Sequence, residues 1–301
     1  MTITEGGYNL DKTTNEFLLD DPQIVFDLEN PSTPKTVFGF IAEGLRQRKD
    51  NEVGGITILS CDNLQHNGNT AKAAFMTFIT AQDKDLGLWA EKNVTFPNSM
   101  VDRITPATTA EDVLRLNKGS EFRDEAPVYC EDFIQWVIED DFIAGRPAWE
   151  KVGVHFTDDV TAFENMKLSL LNASHTLLSY PSCLLGYRKV DEAMADEDIV
   201  SFVREFMDTD ITPNVPAPAG IDLEVYKQTL IERFANKAVS DQLSRLCFDG
   251  LSKFPVYIMP NLAKMIANHQ DLTCVAFLIS NYRHYLKYQE DDKKIAFQFA
   301  E

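Results

Sequence analysis

The spacing of apolar residues predicts that the chain begins with alternating helices and strands. Apolar positions recur every four residues between 34 and 49, which predicts a helix, and two glycines end this pattern. The short apolar run 56–59 then predicts a buried strand, and 69–82 predicts a second helix. Helix, strand and helix in this order are typical of a parallel α/β sheet. Further short strands are predicted at 94–96, 128–131 and 152–156.

Beyond residue 158 the pattern changes to helices alone. Helical periodicity predicts successive helices at 161–179, 191–208, 222–235, 238–248, 258–268 and 271–287. The sequence therefore predicts two domains, an α/β domain at 1–157 and a mostly α-helical domain at 158–301.

One apolar run, 163–178, carries an unusual set of polar side chains. At about 100° per residue, Glu164, Lys167, Asn172 and His175 would share one arc of roughly 140° on a helix. The other faces of this helix carry leucine, methionine and phenylalanine. An amine held among apolar neighbours is a candidate general base, because burial favours its neutral form. A buried polar network with a purely structural role is the alternative.

Glu164 has a second interpretation. Thr161 and Glu164 have the spacing of a capping box, in which a threonine and a glutamate close the first turn of a helix. Glu164 could therefore serve the helix start instead of the chemistry.

Two polar loops follow predicted strands. Residues 60–68 contain Asn63, and residues 98–106 contain Asp102. The carboxyl ends of strands are where α/β sheets bind ligands, so both loops are candidate parts of a site. The alternative is that each is an ordinary turn, closed by local caps in the first and by an Asp–Arg pair in the second.

Composition and charge exclude several classes of function. The 301 residues are 44% hydrophobic, so a packed core is expected, and the formal net charge is −19. This charge argues against nucleic acid or an anionic membrane as the main partner. The chain shows neither a long apolar span nor a signal peptide, so a cytoplasmic location is expected. The isolated histidines and scattered cysteines have no metal-ligand spacing, so no metal is expected.

Several segments together resemble one family, the polyol-specific long-chain dehydrogenases, which include mannitol 2-dehydrogenase and fructuronate reductase. The similar segments, in family order, are Thr4–Tyr8, Ser60–Asn63, Asn98–Pro106, Gln135–Asp140, Gly145–Pro147, Lys167–His175 and Glu232–Asn236. The resemblance implies the C-terminal part of a Rossmann-like nucleotide-binding domain followed by an all-helical substrate domain.

The resemblance also implies roles for individual residues. Lys167 corresponds to the general base that takes the proton from a secondary alcohol while hydride leaves the same carbon. Asn63 and Asn172 correspond to an amide pair that donates hydrogen bonds to that oxygen. His175 corresponds to the residue that orients the substrate hydroxyls.

Four more residues are expected on the substrate side of the site. Asp102, Arg245 and Lys253 correspond to substrate contacts, and Glu164 corresponds to a carboxylate near the proton path. The function implied is metal-independent interconversion of D-mannitol and D-fructose with NAD(H), with NADP as an alternative cofactor. Fructuronate reductase, whose substrate adds a carboxylate, is a rival. The sequence leaves the oligomeric state open.

Two departures from the family affect these expectations. The fourteen glycines include no Gly-x-Gly-x-x-Gly pattern, although family members have a glycine-rich nucleotide loop. The chain also stops at Glu301, soon after a predicted helix that family members follow with further helices. It therefore looks truncated at both ends, and we expect this polypeptide alone to bind NAD weakly or not at all. A non-catalytic remnant is the rival from another functional class.

Overall fold

The structure, a computed structural model, describes residues 1–11 and 13–288 and divides into two compact units. The first unit contains Met1–Val101 and Gln135–Thr161, and the second contains Asp102–Ile134 and Ala162–Glu301. The α/β part followed by a helical part, expected from the sequence, is present. The domain boundary at residue 157 stays a prediction, and the assignment of 102–134 to the second unit was not foreseen.

The first unit is the α/β part. Its helices are α1 (Pro22–Glu29), α2 (Val37–Asp50), α3 (Asn67–Gln82) and α4 (Lys84–Asn93), and short 3₁₀ turns lie at Glu5–Tyr8 and Trp149–Val152. Strands β1 (Ile56–Thr57) and β2 (Val94–Thr95) form one parallel pair. A second sheet has the order β3 (Ser99–Asp102), β4 (Gln135–Glu139), β5 (His155–Thr157), and β4 and β5 run parallel.

The predicted strands have mixed outcomes. Those at 56–59 and 94–96 are confirmed, although each is shorter than expected. The strand predicted at 152–156 is displaced to His155–Thr157, because a 3₁₀ turn and Gly153 in the left-handed region precede it. The strand at 128–131 is wrong, since this segment has no regular structure and buries the charged Glu131.

Side-chain caps explain where the helices of the first unit begin. The carboxylates of Asp21 and Asp83 accept hydrogen bonds from the first backbone N–H groups of α1 and α4, and the Thr36 hydroxyl does the same for α2. Between α2 and α3 the rings of Phe38 and Phe75 pack with centroids 4.9 Å apart. Burial of such a ring stabilises the fold by about 1.5–3 kcal/mol.

The second unit is helical. Its α-helices are α5 (Ala110–Asn117), α6 (Thr161–Met166), α7 (Ala173–Leu184), α8 (Val190–Ala193), α9 (Glu197–Glu205), α10 (Leu223–Phe234), α11 (Leu243–Cys247), α12 (Gly250–Lys253), α13 (Met259–Ala267) and α14 (Thr273–Tyr288). Its core includes the fully buried Tyr180, whose ring contacts Tyr282 and Tyr285 at centroid distances of 4.8 and 5.2 Å.

Among the described residues of the second unit, three segments are π-helical, at Lys167–Asn172, Phe206–Ile211 and Phe254–Ile258. The backbone N–H that closes each segment donates to the carbonyl five residues earlier, as Ala173 does to Leu168. Such segments are rare and occur frequently at functional sites. The first of them coincides with the polar arc of the sequence.

Among the residues that the structure describes, no helix combines the length and apolar character needed to cross a membrane.

Candidate active site

Asn63 lies in a loop of the first unit that is anchored by its neighbour. The buried carboxylate of Asp62 accepts hydrogen bonds from the Tyr8 hydroxyl at 2.7 Å and from the backbone N–H groups of Ile3 and Thr4. These contacts join two of the segments that carry the family resemblance. The side chain of Asn63 is exposed beside this anchor. The loop is therefore more than an ordinary local turn, because residues about 60 positions apart hold it.

The second polar loop is anchored in the same way. Asn98 donates from its backbone and from its side-chain amide to the carboxylate of Glu139, at 2.9–3.1 Å. The amide of Asn67 bridges to Ser99 in both directions, accepting from its N–H and donating to its carbonyl oxygen. These bonds fix the start of β3, which ends at Asp102.

Asp102 belongs to a buried ion network of the second unit. Both of its carboxylate oxygens accept from Arg233, at 2.8 and 2.9 Å, and Arg233 also donates twice to Glu131 at similar distances. Arg233, Asp102 and Glu131 are 6%, 4% and 2% exposed. The local Asp–Arg pair considered for this loop is therefore wrong, because Asp102 pairs with Arg233, 131 positions away, while Arg103 donates to the carbonyl oxygen of Glu131. A substrate contact of Asp102 stays a prediction.

Lys167 opens the π-helical segment and is nearly buried, with 9% of its surface exposed. The predicted arc assumed α-helical geometry throughout, which is wrong between Lys167 and Asn172. In a π-helix the hydrogen bonds join residues five positions apart, so Asn172 stacks over the face that carries Lys167. The side chains of Lys167 and Asn172 therefore leave the helix in more similar directions than the α-helix predicted from the sequence would give.

The side chain of Asn172 has one buried oxygen without a partner. Its Oδ1 is buried, and the described residues provide this oxygen with no hydrogen-bond partner. A buried polar atom without a partner is uncommon in native proteins and calls for an explanation such as a bound ligand.

His175 lies on α7, one turn beyond the π-helical segment, and its ring packs against Phe234 at a centroid distance of 4.3 Å. Burial lowers the pKa of His175 to about 3, with the carboxylate of Asp241 opposing this shift and the cations of Arg245, Arg233 and Lys253 adding to it. The imidazole is therefore neutral at physiological pH, and it can both donate and accept a hydrogen bond.

Arg245 and Lys253 belong to the surroundings of this histidine. Arg245 donates from Nε to Oδ1 of Asp241 at 2.8 Å and from Nη2 to Oδ2, and these bonds raise the pKa of Arg245. Lys253 donates to the backbone carbonyl oxygens of Arg245 and Leu246, at 3.3 and 2.9 Å. Burial and the charge of Arg245 lower the pKa of Lys253.

Glu164 is buried one helical turn before Lys167. Helix α6 begins at Thr161, and Asp159 accepts the hydrogen bond of the Thr161 backbone at 2.8 Å, so the capping box of Thr161 and Glu164 stays a prediction. A role of Glu164 near the proton path also stays a prediction.

A cavity of about 910 Å³ opens in the second unit beside Arg245. Its lining includes Arg115, Tyr129, Lys189, Lys237, Asp241 and Arg245. The volume is within the range of small-molecule sites, which are commonly 300–1,000 Å³. The cavity therefore provides room for a polyol-sized ligand next to a predicted substrate residue.

The sequence analysis missed Arg233 and Asp241. Arg233 lies in a segment that carried the resemblance, but a single arginine on a helix reads as a solvated residue. Asp241 stands four positions before Arg245, the spacing of an ion pair on one helical face, and this signal could have identified it.

The described residues contain no group of three or more His, Cys, Asp or Glu side chains arranged to hold a metal ion. Between a strand and the following helix, residues 1–11 and 13–288 present no glycine-rich turn that could cradle a dinucleotide's phosphates.

Comparison with known proteins gives two family matches that together cover most of the chain. The mannitol dehydrogenase Rossmann domain matches residues 1–151, and the mannitol dehydrogenase C-terminal domain matches residues 159–298. A polyol:NADP oxidoreductase of Gluconobacter oxydans is 45% identical over 97% of this chain and 60% of its own length. A mannitol 2-dehydrogenase of Aspergillus fumigatus is 40% identical over 98% of this chain and 60% of its own length.

Solved structures agree with these matches. The crystal structure of a D-sorbitol dehydrogenase in substrate-free form has a TM-score of 0.90 and 45% identity, covering 95% of this chain and 59% of that one. The ternary complex of Pseudomonas fluorescens mannitol 2-dehydrogenase with NAD and D-mannitol has a TM-score of 0.82 and 49% identity, covering 95% and 58%. This chain thus spans about 60% of the length of the curated relatives it matches. By its sequence and its fold, the chain belongs to the mannitol dehydrogenase family.

Proposed function

We propose that this chain carries the polyol side of a metal-independent, NAD(H)-dependent polyol dehydrogenase that interconverts D-mannitol and D-fructose. The observation that carries the proposal is the π-helical segment, which places a nearly buried Lys167 and Asn172, whose buried Oδ1 has no partner among the described residues, one π-helical turn apart. Relatives and solved structures that act on or bind mannitol and other polyols support it.

In this proposal Lys167 is the general base for the alcohol. Its amine takes the proton of the reacting hydroxyl in oxidation, and its ammonium returns the proton to the developing alkoxide in reduction. NAD, when bound, supplies the hydride acceptor. Only 9% of the Lys167 surface is exposed, which limits the access of bulk water to this residue.

Amide donors stabilise the oxygen on which charge develops. Asn172 is proposed to donate from its amide group to this oxygen, and Asn63 is proposed as the second donor. His175 orients a neighbouring hydroxyl, and its neutral imidazole suits this role because it offers one donor and one acceptor.

The remaining predicted residues complete the substrate side. Arg245 and Lys253 are proposed to contact the hydroxyls farther along the polyol, next to the cavity that Arg245 lines. Asp102 is proposed as a substrate contact held by Arg233, and Glu164 as a carboxylate near the proton path.

The cofactor and the location are part of the same proposal. NAD is favoured by the mannitol 2-dehydrogenase complex, and NADP is the alternative because of the Gluconobacter oxydans relative. We place the protein in the cytoplasm, with a small-molecule polyol or ketose as its partner and without nucleic acid or membrane partners.

Fructuronate reductase is the second candidate, and one observation favours it. Lys189 and Lys237 line the cavity beside Arg245, and they form no ion pair with the described residues. Ammonium groups in this position could hold the carboxylate of fructuronate. The mannitol assignment is preferred because Arg245 itself is already paired with Asp241.

The test compares NADH oxidation with D-fructose and with D-fructuronate. It uses the purified chain and, in parallel, Pseudomonas fluorescens mannitol 2-dehydrogenase in which this chain replaces the matching region. In the replacement protein the residues that contact the polyol come from this chain, so its substrate preference reports on this chain even if other parts of the protein bind the cofactor. The proposal predicts faster turnover of D-fructose. Preference for D-fructuronate would favour the reductase, and inactivity with both in a folded replacement protein would favour the non-catalytic remnant.

A further inference from the structure

The Arg245 side chain is occupied along one edge by a carboxylate. Asp241 accepts from Nε at 2.8 Å and from Nη2, so the two groups form a bidentate pair. The described residues provide Nη1 with no hydrogen-bond partner, and more than half of the Arg245 side chain is exposed. Nη1 therefore remains as a hydrogen-bond donor on an exposed side chain. The positive charge of the guanidinium is already balanced by the Asp241 carboxylate.

The backbone holds Asp241 more firmly than a surface ion pair would require. Its carbonyl oxygen accepts from the Val190 N–H at 2.9 Å, and Gln242 and Lys189 form an antiparallel bridge. The Leu243 N–H donates to the backbone carbonyl oxygen of Arg188 at 3.0 Å, and the Gln242 N–H donates to the Asp241 carboxylate itself. The carboxylate is buried, so the pair is fixed from the aspartate side.

This geometry has a consequence for the ligand. An arginine without a partner binds a carboxylate through two parallel hydrogen bonds and full charge attraction. An arginine paired in advance offers hydrogen-bond donors with little net charge, and the aspartate repels a second carboxylate placed close to it. Hydroxyl groups, which need donors but not charge, lose nothing by this arrangement.

We propose that Asp241 is a positioning residue that turns Arg245 into a hydroxyl donor and so makes the site prefer uncharged polyols over polyol carboxylates. The inference rests on the proposed function, because it takes Arg245 as a substrate contact. Lys189 and Lys237 line the same cavity and attract anions whether or not Asp241 is present. The inference is therefore about how the preference between polyols and polyol carboxylates changes when the Asp241 carboxylate is removed.

The test measures the dissociation constants of D-mannitol and D-mannonate by saturation-transfer NMR on the purified chain, with and without NAD. In Asp241→Asn, the ratio of the mannonate constant to the mannitol constant is expected to fall at least about tenfold. Asp112→Asn is the matched control, because Asp112 pairs with Arg115 in the same cavity. Its ratio is expected to change less than about threefold.

A purely structural role for Asp241 would weaken both ligands alike and leave the ratio unchanged, and that result would overturn the inference. If Asp241→Asn does not fold, Arg245→Gln provides the second test. In Arg245→Gln, the inference predicts that the affinities for mannitol and mannonate fall by equal factors. A fall in mannonate affinity at least about tenfold larger than the fall in mannitol affinity would overturn the inference. If the unmodified chain binds neither ligand, the proposed function fails and the inference with it.

Discussion

Removal of the Arg233 guanidinium is expected to destabilise the second unit strongly. Arg233 donates four hydrogen bonds of 2.8–2.9 Å to Asp102 and Glu131, and its guanidinium lies 3.9 Å from the ring centroid of Phe133. Arg233→Met would leave two carboxylates buried without a counter-charge. Removing one partner of a buried ion pair costs about 3–5 kcal/mol, and two stranded carboxylates place the loss at the upper end.

A second arginine fork in the same chain provides the control. Arg146 donates to both oxygens of Asp140, at 2.7 and 3.0 Å, but Asp140 is 46% exposed. Arg146→Met is expected to cost about 1 kcal/mol, because water solvates the carboxylate that remains. The two variants therefore remove a similar fork from two different environments.

The measurement is the free energy of unfolding by urea, followed by circular dichroism at neutral pH. Adding Asp102→Asn and Glu131→Gln to Arg233→Met is expected to restore part of the loss, since amides can be buried at lower cost than charges. Equal losses for Arg233→Met and Arg146→Met would refute the argument from burial.

The remaining predictions concern a histidine and two glycines. His175 is expected to show no titration of its ring proton resonances by NMR between pH 5 and 9, because its pKa is lowered from 6.5 to about 3. The unfolded chain binds a proton below about pH 6.5 that the native state refuses, so His175 makes stability fall as pH drops from 6.5 toward 3; a native-state titration near pH 6.5 would contradict this. In α2, Gly39→Ala is expected to lower the melting temperature, since its Cβ would lie 2.4 Å from Asp27 Oδ2, whereas Gly44→Ala has open space and should stabilise the helix by about 0.5–1 kcal/mol. Equal effects of the two alanines would contradict the packing around Gly39.

Helix boundaries are predicted well from the sequence where residues next to them in the chain, such as a capping aspartate, determine them. The helix predicted at 222–235 is found at Leu223–Phe234, because Asp222 caps its start, and the helix predicted at 258–268 is found at Met259–Ala267. The helix predicted at 238–248 is reduced to Leu243–Cys247, since the residues before it form turns and a bridge to Lys189. A bridge between residues that are distant in the sequence does not change the spacing of apolar residues, so that spacing cannot predict it.

The candidate site shows the same limit. The polar arc was visible because Lys167, Asn172 and His175 interrupt an apolar run, but its π-helical geometry was not, since an apolar stripe looks alike in both helix types. The network of Arg233 joins residues that are more than 100 positions apart, so no periodicity reveals it. The strand predicted at 128–131 failed for a related reason: Glu131 is buried by its ion pair and not by a sheet.

The central claim is that Lys167 exchanges the proton of the reacting hydroxyl. Its most direct test is the rate of NADH oxidation with D-fructose by Lys167→Ala in the preparation that shows activity, together with a titration of NADH binding. Lys264→Ala is the control, because the Lys264 amine is bound to the Asn214 carbonyl at 3.1 Å and has no role in the proposed site. Lys167→Ala is expected to lose about 10²–10⁴-fold in turnover while NADH binding stays unchanged, with partial recovery on adding methylamine. Turnover of Lys167→Ala equal to that of the unmodified protein would contradict the general-base assignment.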